Sequence, residues 1–197
     1  MIHPSTQIQY LDIKTGEAKY KSVEEFYQEY CHKATVAWKS KVFDISLIDF
    51  SKDDLLKITD SFGWTDILSI AKIPFMHEID SWYKIDGGDK SILVSSCEYV
   101  PTYNIRCPKI GFHGEVKYNY TLKTPNEIKA DDYLRLYRGK DNNGSIIEFA
   151  DSITSKPIDD KYDYGFSIMT KSRFFNANRI HMFGHYVKNS NDTSGYK

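Results

Sequence analysis

Residues 82–94 read Trp82-Tyr83-Lys84-Ile85-Asp86-Gly87-Gly88-Asp89-Lys90-Ser91-Ile92-Leu93-Val94. Two runs rich in aromatic and β-branched residues flank Asp-Gly-Gly-Asp. Paired glycines supply the positive φ angles that a tight hairpin turn needs, so the segment predicts a β-hairpin. The same pattern spreads outward in both directions. Val42 to Phe50 alternates apolar and polar residues, as a half-buried strand does, and Trp64 to Ala71 follows Gly63 and stops before Pro74. Downstream, Val116, Tyr118, Tyr120 and Leu122 share one face. Tyr133–Tyr137 and Ile146–Phe149 flank the polar turn Asp141-Asn142-Asn143-Gly144, and Phe166–Met169 and Phe174–Phe175 add apolar runs near the end. At the start, Ile8, Tyr10, Leu11 and Ile13 form an extended segment that closes at a Lys14–Glu17 turn. Ser22, with Glu25 three residues on, then caps a helix carrying Val23, Phe26, Tyr27 and Tyr30 and ending near Cys31–Lys33. Ser51–Asp54 predicts the cap of a short helical turn holding Leu55, Leu56 and Ile58. Short strands with frequent turns give an all-β domain, β-rich with one to three short helices, over residues 1–188, with a polar tail at 189–197.

Composition narrows the function classes. Of 197 residues, 41% are hydrophobic and 15% aromatic, enough for a sizeable core in one domain. Lys+Arg 26 against Asp+Glu 27 leaves a net charge of −1, so no global attraction for phosphate backbones exists. Lys33, Lys39 and Lys41 around Trp38 read as a solvated face, which disfavours nucleic acid as a partner. No run of about 18 apolar residues encodes a membrane-spanning helix, and Met1–Tyr10 is too polar for a signal peptide. The abundance of Lys, Asn, Ile and Tyr is the tilt of an AT-rich genome.

The three cysteines, Cys31, Cys97 and Cys107, read as free thiols of a reducing compartment. Neither Cys107 with His113 nor Cys31 with His32 has zinc-ligand spacing. His181 and His185 stand four apart in a strand or loop context, and Asp131-Asp132 reads as a solvated turn, so neither a metal nor a cofactor is expected. Cys97 reads as a small buried hydrophobe and Glu98 as an ordinary carboxylate at a strand end. The tyrosine excess divides evenly between a wet β surface and a protein interface.

Several segments in order resemble the Hint fold shared by inteins and hedgehog autoprocessing domains. Met1-Ile2-His3-Pro4-Ser5-Thr6-Gln7-Ile8 resembles the first intein block, and the helix after Ser22 takes the place of the helix that follows it. Ile92-Leu93-Val94-Ser95-Ser96-Cys97-Glu98 stands where the second block has strand-Thr-x-x-His. Asn126–Asp132 is similar to the later acidic turn. Gly165–Ile168 with Ser172–Ile180 resembles the penultimate block. The resemblance implies a horseshoe-shaped, Hint-like β-domain of the mini-intein kind, without an endonuclease.

It also implies a set of chemical positions, and each is altered. Splicing needs a nucleophile at residue 1, where Met1 offers a thioether that cannot be deprotonated. Ser95 stands for the second-block Thr and Glu98 for its His. Ser167 stands for the penultimate-block Asp and Arg173 for its His. The terminal His-Asn pair falls near Phe183-Gly184. These replacements predict that Met1, Ser95, Glu98, Ser167 and Arg173 are vestigial and that the chain is not an enzyme. The expected role is a structural or assembly protein, a bacteriophage virion component (decoration, neck or baseplate) bound to other protein subunits, in the virion or the host cytoplasm. The alternative is an active splicing or autoprocessing element, and a third reading is a nucleic-acid-binding module.

Overall fold

The computed structural model describes residues 1–52, 55–60, 63–114 and 116–184. The chain opens with an antiparallel pair, β1 (Gln7–Asp12) and β2 (Glu17–Ser22), with Tyr10 opposite Lys19. Helix α1 (Val23–Tyr30) follows. Ser22 Oγ accepts from Glu25 N, and Glu25 Oε2 accepts from Ser22 N, so two otherwise orphaned donors of the first turn are satisfied reciprocally. Val23, Phe26 and Tyr27 form its buried face. The Phe26 ring meets Tyr10 edge-on at 4.8 Å and Phe50 at 5.9 Å. Burying such a ring stabilises the fold by about 2–3 kcal/mol, which fixes the helix on β1. The helix passes into a 3-10 turn at Cys31–Lys33.

Next come β3 (Thr35–Lys39), β4 (Asp44–Asp49), β5 (Leu56–Asp60) and β6 (Gly63–Pro74). The long β6 is the hinge of the architecture. Its first half pairs β5 and its second half pairs β4 on one edge, with Ile48 opposite Ile70. The hairpin predicted at 82–94 is β7 (Trp82–Gly87) and β8 (Lys90–Ser95), with Ile85 opposite Ile92 and Gly88 at φ +61° in the turn. Then follow the ribbon β9 (Val100–Ile110) and β10 (Val116–Lys123), β11 (Leu134–Asp141), β12 (Gly144–Ala150), β13 (Thr154–Ile158), β14 (Tyr164–Thr170), β15 (Phe174–Ala177) and β16 (Ile180–Phe183).

Eleven strands form one sheet along the path β12-β11-β16-β15-β1-β5-β6-β4-β3, with β2 beside β1 and β14 on β6. β13, β7 and β8 form a second sheet, and β9 and β10 a two-stranded ribbon. One buried cluster joins them, including Ile8, Tyr10, Phe26, Ile48, Ile58, Ile70, Ile85, Ile92, Leu134 and Phe166. The all-β expectation therefore holds, with α1 and two 3-10 turns as its helical content among the described residues.

Two local expectations are corrected. The segment read as a helical turn is strand β5, because Leu56 and Ile58 both enter the core while Lys57, between them, stays half-exposed; that alternation has period two. Asp53 and Asp54 of its supposed cap lie outside the described residues, as do His185 and the whole 189–197 tail. Strands β2, β3, β9 and β13 were not expected. Most of their residues face solvent, so they carry little hydrophobic periodicity.

Candidate active site at the residue 1 nitrogen

The first three residues run as an extra extended segment between β8 and β14. Ile2 N donates to Phe166 O at 2.8 Å and Phe166 N to Ile2 O at 3.0 Å; His3 N donates to Leu93 O at 3.0 Å and Ser95 N to Met1 O at 2.9 Å. These bonds hold the segment on both sides, with Ile2 against β14 and Met1 and His3 against β8. Immediately after β8, Glu98 N donates to Ser95 O at 3.0 Å, closing a tight turn, while Ser96 N is tied to Ser81 O at 2.8 Å. The turn folds Ser95 and Glu98 back over residue 1. The Met1 nitrogen donates to Ser95 Oγ at 3.0 Å and forms an ion pair with Glu98 Oε2. Ser95 is fully buried, and Glu98 is only 2% exposed. A carboxylate so enclosed survives as an anion because the ammonium neutralises it and the contact is a charge-assisted hydrogen bond.

Two neighbours complete the site. Ser95 Oγ lies 3.3 Å from Cys97 Sγ, and Cys97 is exposed. Gly165 of β14 faces Met1, and a Cβ built there would sit 2.9 Å from Met1 Cβ and 3.1 Å from Ile2 O. Only glycine lets the two backbones approach this closely without a shift.

The expected chemical positions separate into two groups. Met1, Ser95 and Glu98 converge. Ser167 is buried on β14 opposite Ala71, and Arg173 is exposed, at φ +66°, in the turn joining β14 to β15. The β14 residue that touches Met1 is Gly165, and its signal was a glycine between Tyr164 and Phe166 in an apolar run. Two readings of ordinary residues are corrected. Glu98 is no free carboxylate at a strand end, because the turn buries it against the ammonium. Cys97 is no buried hydrophobe, because the same turn leaves its thiol at the surface.

Two histidines are packed into the framework. His3 lies edge-on between Trp82 at 5.0 Å and Tyr162 at 4.6 Å. Its Nδ1 is 2.7 Å from Ser5 Oγ and accepts from Ser5 N at 3.2 Å, while Nε2 lies 3.3 Å from Asp160 Oδ1, too poorly aligned for a good hydrogen bond. Burial pushes its proton affinity down, and Asp160 only partly opposes that. His181 stacks on Phe174 at 4.8 Å, and burial, with the Arg135 charge, lowers its pKa to about 3. Elsewhere, a polar cleft of about 290 Å³ between the ribbon and the Asp131-Asp132 turn mixes Arg106 and Lys123 with both aspartates. Lys123 Nζ is already bound to Asp132 at 2.7 Å.

No family model and no curated protein matches the sequence. Solved structures do. A transcription factor IIB mini-intein (Mvu) superposes over 93% of this chain and 98% of its own, with a TM-score of 0.62 at 14% identity. An intein from a hyperthermophile covers 92% and 98%, with a TM-score of 0.64 at 13% identity. The KlbA intein precursor from Methanococcus jannaschii covers 100% and 95%, with a TM-score of 0.56 at 13% identity. The chain has the Hint fold of inteins. The likeness runs through nearly the whole chain and has the compass of a mini-intein. It corrects the expectation that the chain is not an enzyme. That expectation rested on side-chain replacements alone, whereas these structural neighbours are inteins, which are self-processing elements. The likeness gives no support to a virion role.

Proposed function

We propose that this Hint-fold chain is an autoprocessing element acting on a peptide bond made to the Met1 nitrogen. One observation carries the reading: that nitrogen is held between the buried Ser95 hydroxyl and the buried Glu98 carboxylate. With a peptide attached, the nitrogen is an uncharged amide. Glu98 then loses its positive neighbour and holds a proton more tightly. It becomes a general acid placed against the leaving nitrogen. As the bond breaks, the amine takes the proton and the ion pair forms, which draws the reaction forward. Splicing is not part of the reading. The Met1 thioether cannot attack a carbonyl, and the family's cyclising Asn is expected near Phe183-Gly184, neither of which can cyclise.

The test is a fusion carrying a small folded reporter domain ahead of Met1, incubated between pH 6 and 8. The expected result is time-dependent release of the reporter, with a new amino terminus at Met1 by mass spectrometry. Glu98→Gln slows the release by about 10²-fold or more. A folded wild-type fusion that stays intact overturns the reading. Binding to other protein subunits stays a separate proposal. Its supporting observation is the tip of the β9–β10 ribbon, where Phe112 is 98% and Ile110 78% exposed, apolar surface that a bound subunit would remove from water.

A further inference from the structure

We propose that Ser95 is the nucleophile of this site and that Cys97 receives the acyl group from it; this rests on the reading above. Met1 cannot attack, and the hydroxyl held against the same nitrogen is that of Ser95. Ser95 Oγ lies 3.0 Å from the Met1 nitrogen. A carbonyl carbon bonded to that nitrogen at about 1.33 Å falls within about 4.3 Å of Oγ. A small rotation brings that pair to attack distance. The serine is held by its backbone bond to Met1 O and by the Ser95–Glu98 turn, so nucleophile, leaving nitrogen and acid are fixed relative to one another.

The first step forms the bond from Ser95 Oγ to the acyl carbon and breaks the bond from that carbon to the Met1 nitrogen. Glu98 gives its proton to the departing nitrogen and takes up the serine hydroxyl proton. The products are an acyl ester on Ser95 and a free amine. Ester formation from an amide is unfavourable by itself. Glu98 then passes the proton it took from the serine to the amine, and the resulting ammonium–carboxylate pair offsets that cost. In the second step Cys97 Sγ, 3.3 Å from Oγ, attacks the ester carbon. A thioester forms on Cys97, and the proton returns to Ser95 Oγ. Because Cys97 is exposed, water or an added thiol then releases the acyl segment. The pair thus carries an acyl group from a buried position to the surface, two residues along the chain.

The same reporter fusion tests the assignment. Wild-type protein should release the reporter at least 10-fold faster with a small thiol, giving a reporter thioester detectable by mass. Cys97→Ala should lose the thiol response yet retain a reporter–Ser95 ester, cleaved by hydroxylamine. Ser95→Ala should lose both, with release down at least 100-fold, and Ser95→Thr should recover part of it. The recovery, with unchanged circular dichroism, separates lost chemistry from lost folding. Release from Ser95→Ala at the wild-type rate would overturn the Ser95 assignment and leave autoprocessing standing. A thiol response that survives Cys97→Ala overturns the transfer to Cys97. An inert wild-type fusion removes the parent reading, and this inference with it.

Discussion

A carboxylate removed from water needs a counter-charge, and Glu98 finds it on a backbone atom. Breaking a buried pair by neutralising one member leaves the other charge stranded. In the unfused chain, Glu98→Gln should therefore cost about 3 kcal/mol, read as a lower urea midpoint at an unchanged slope. An unaltered midpoint would mean that the ion pair contributes nothing to folding. Gly165 gives a test in which the sign is decisive. Alanine in place of a strand glycine ordinarily stabilises, because glycine loses more backbone freedom on folding. Here the added Cβ meets Met1 Cβ at 2.9 Å and the Ile2 carbonyl at 3.1 Å. Gly165→Ala should destabilise by about 1–3 kcal/mol, measured by thermal or urea unfolding. At this scale the sequence was legible in part. Ser95 and Glu98 are marked by the resemblance of residues 92–98 to the family's strand-Thr-x-x-His block; taken by themselves they read as an ordinary serine and an ordinary carboxylate. The burial of Glu98 was not legible, since its partner is the nitrogen of a residue 97 positions away. Ser167 follows from the match to the penultimate-block Asp, whereas the approach of Gly165 to Met1 is a long-range backbone contact with no chemical signature in the sequence.

Elements were legible where local chemistry determines them. The hairpin at 82–94 and the helix after Ser22 follow from turn glycines and a reciprocal cap, and both were readable from a few neighbouring residues. The cap predicts a measurable loss. Ser22→Ala removes the side chain that accepts from Glu25 N, and Glu25 then has one group fewer to bind, so stability should fall by about 1 kcal/mol. Ser22→Asp should restore most of that in chemical denaturation, because its carboxylate accepts the same bond next to the positive end of the helix. β2, β3 and most of β9 are not legible, for a different reason. Their pairing is backbone to backbone, and their side chains mostly meet water, so no alternation of hydrophobicity records them. Strand β5 shows the converse error. Leu55, Leu56 and Ile58 suit either a helix or a strand, and pairing with β1 and β6 decides the outcome through contacts distant in sequence.

For the molecule as a whole, the two buried histidines set how stability responds to acid. His181 is neutral in the fold, with its pKa lowered to about 3, and His3 is shifted in the same direction. In the unfolded chain both titrate near 6.5. Below that pH the unfolded state therefore binds more protons than the native state, and stability falls as the pH falls. The His181 contribution is fully present above about 6.5 and drains away down to about 3. Between pH 6.5 and 5 it amounts to about 2 kcal/mol. Carboxylates add their own acid sensitivity at lower pH: Glu29, bound by Lys21, Tyr10 and Lys19, has its pKa lowered to about 2 despite an opposing effect of burial. Its losses begin only near the ordinary carboxylate range of about 4.3. The interval from pH 6.5 to 5 consequently isolates the histidines. Urea unfolding across that interval should show a declining midpoint in the wild type, and His181→Phe, which keeps a ring against Phe174, should flatten most of the slope. A wild-type midpoint that stays level there would show that His181 is protonated in the native state and that its packing does not exclude the charge. His3 ties the same response to the candidate site, because its backbone nitrogen is bonded to Leu93 and its ring is packed on Trp82, directly beside the segment that holds Met1. Protonating His3 should loosen that segment before the molecule unfolds, so reporter release from the fusion should fall off at a higher pH than the global transition does.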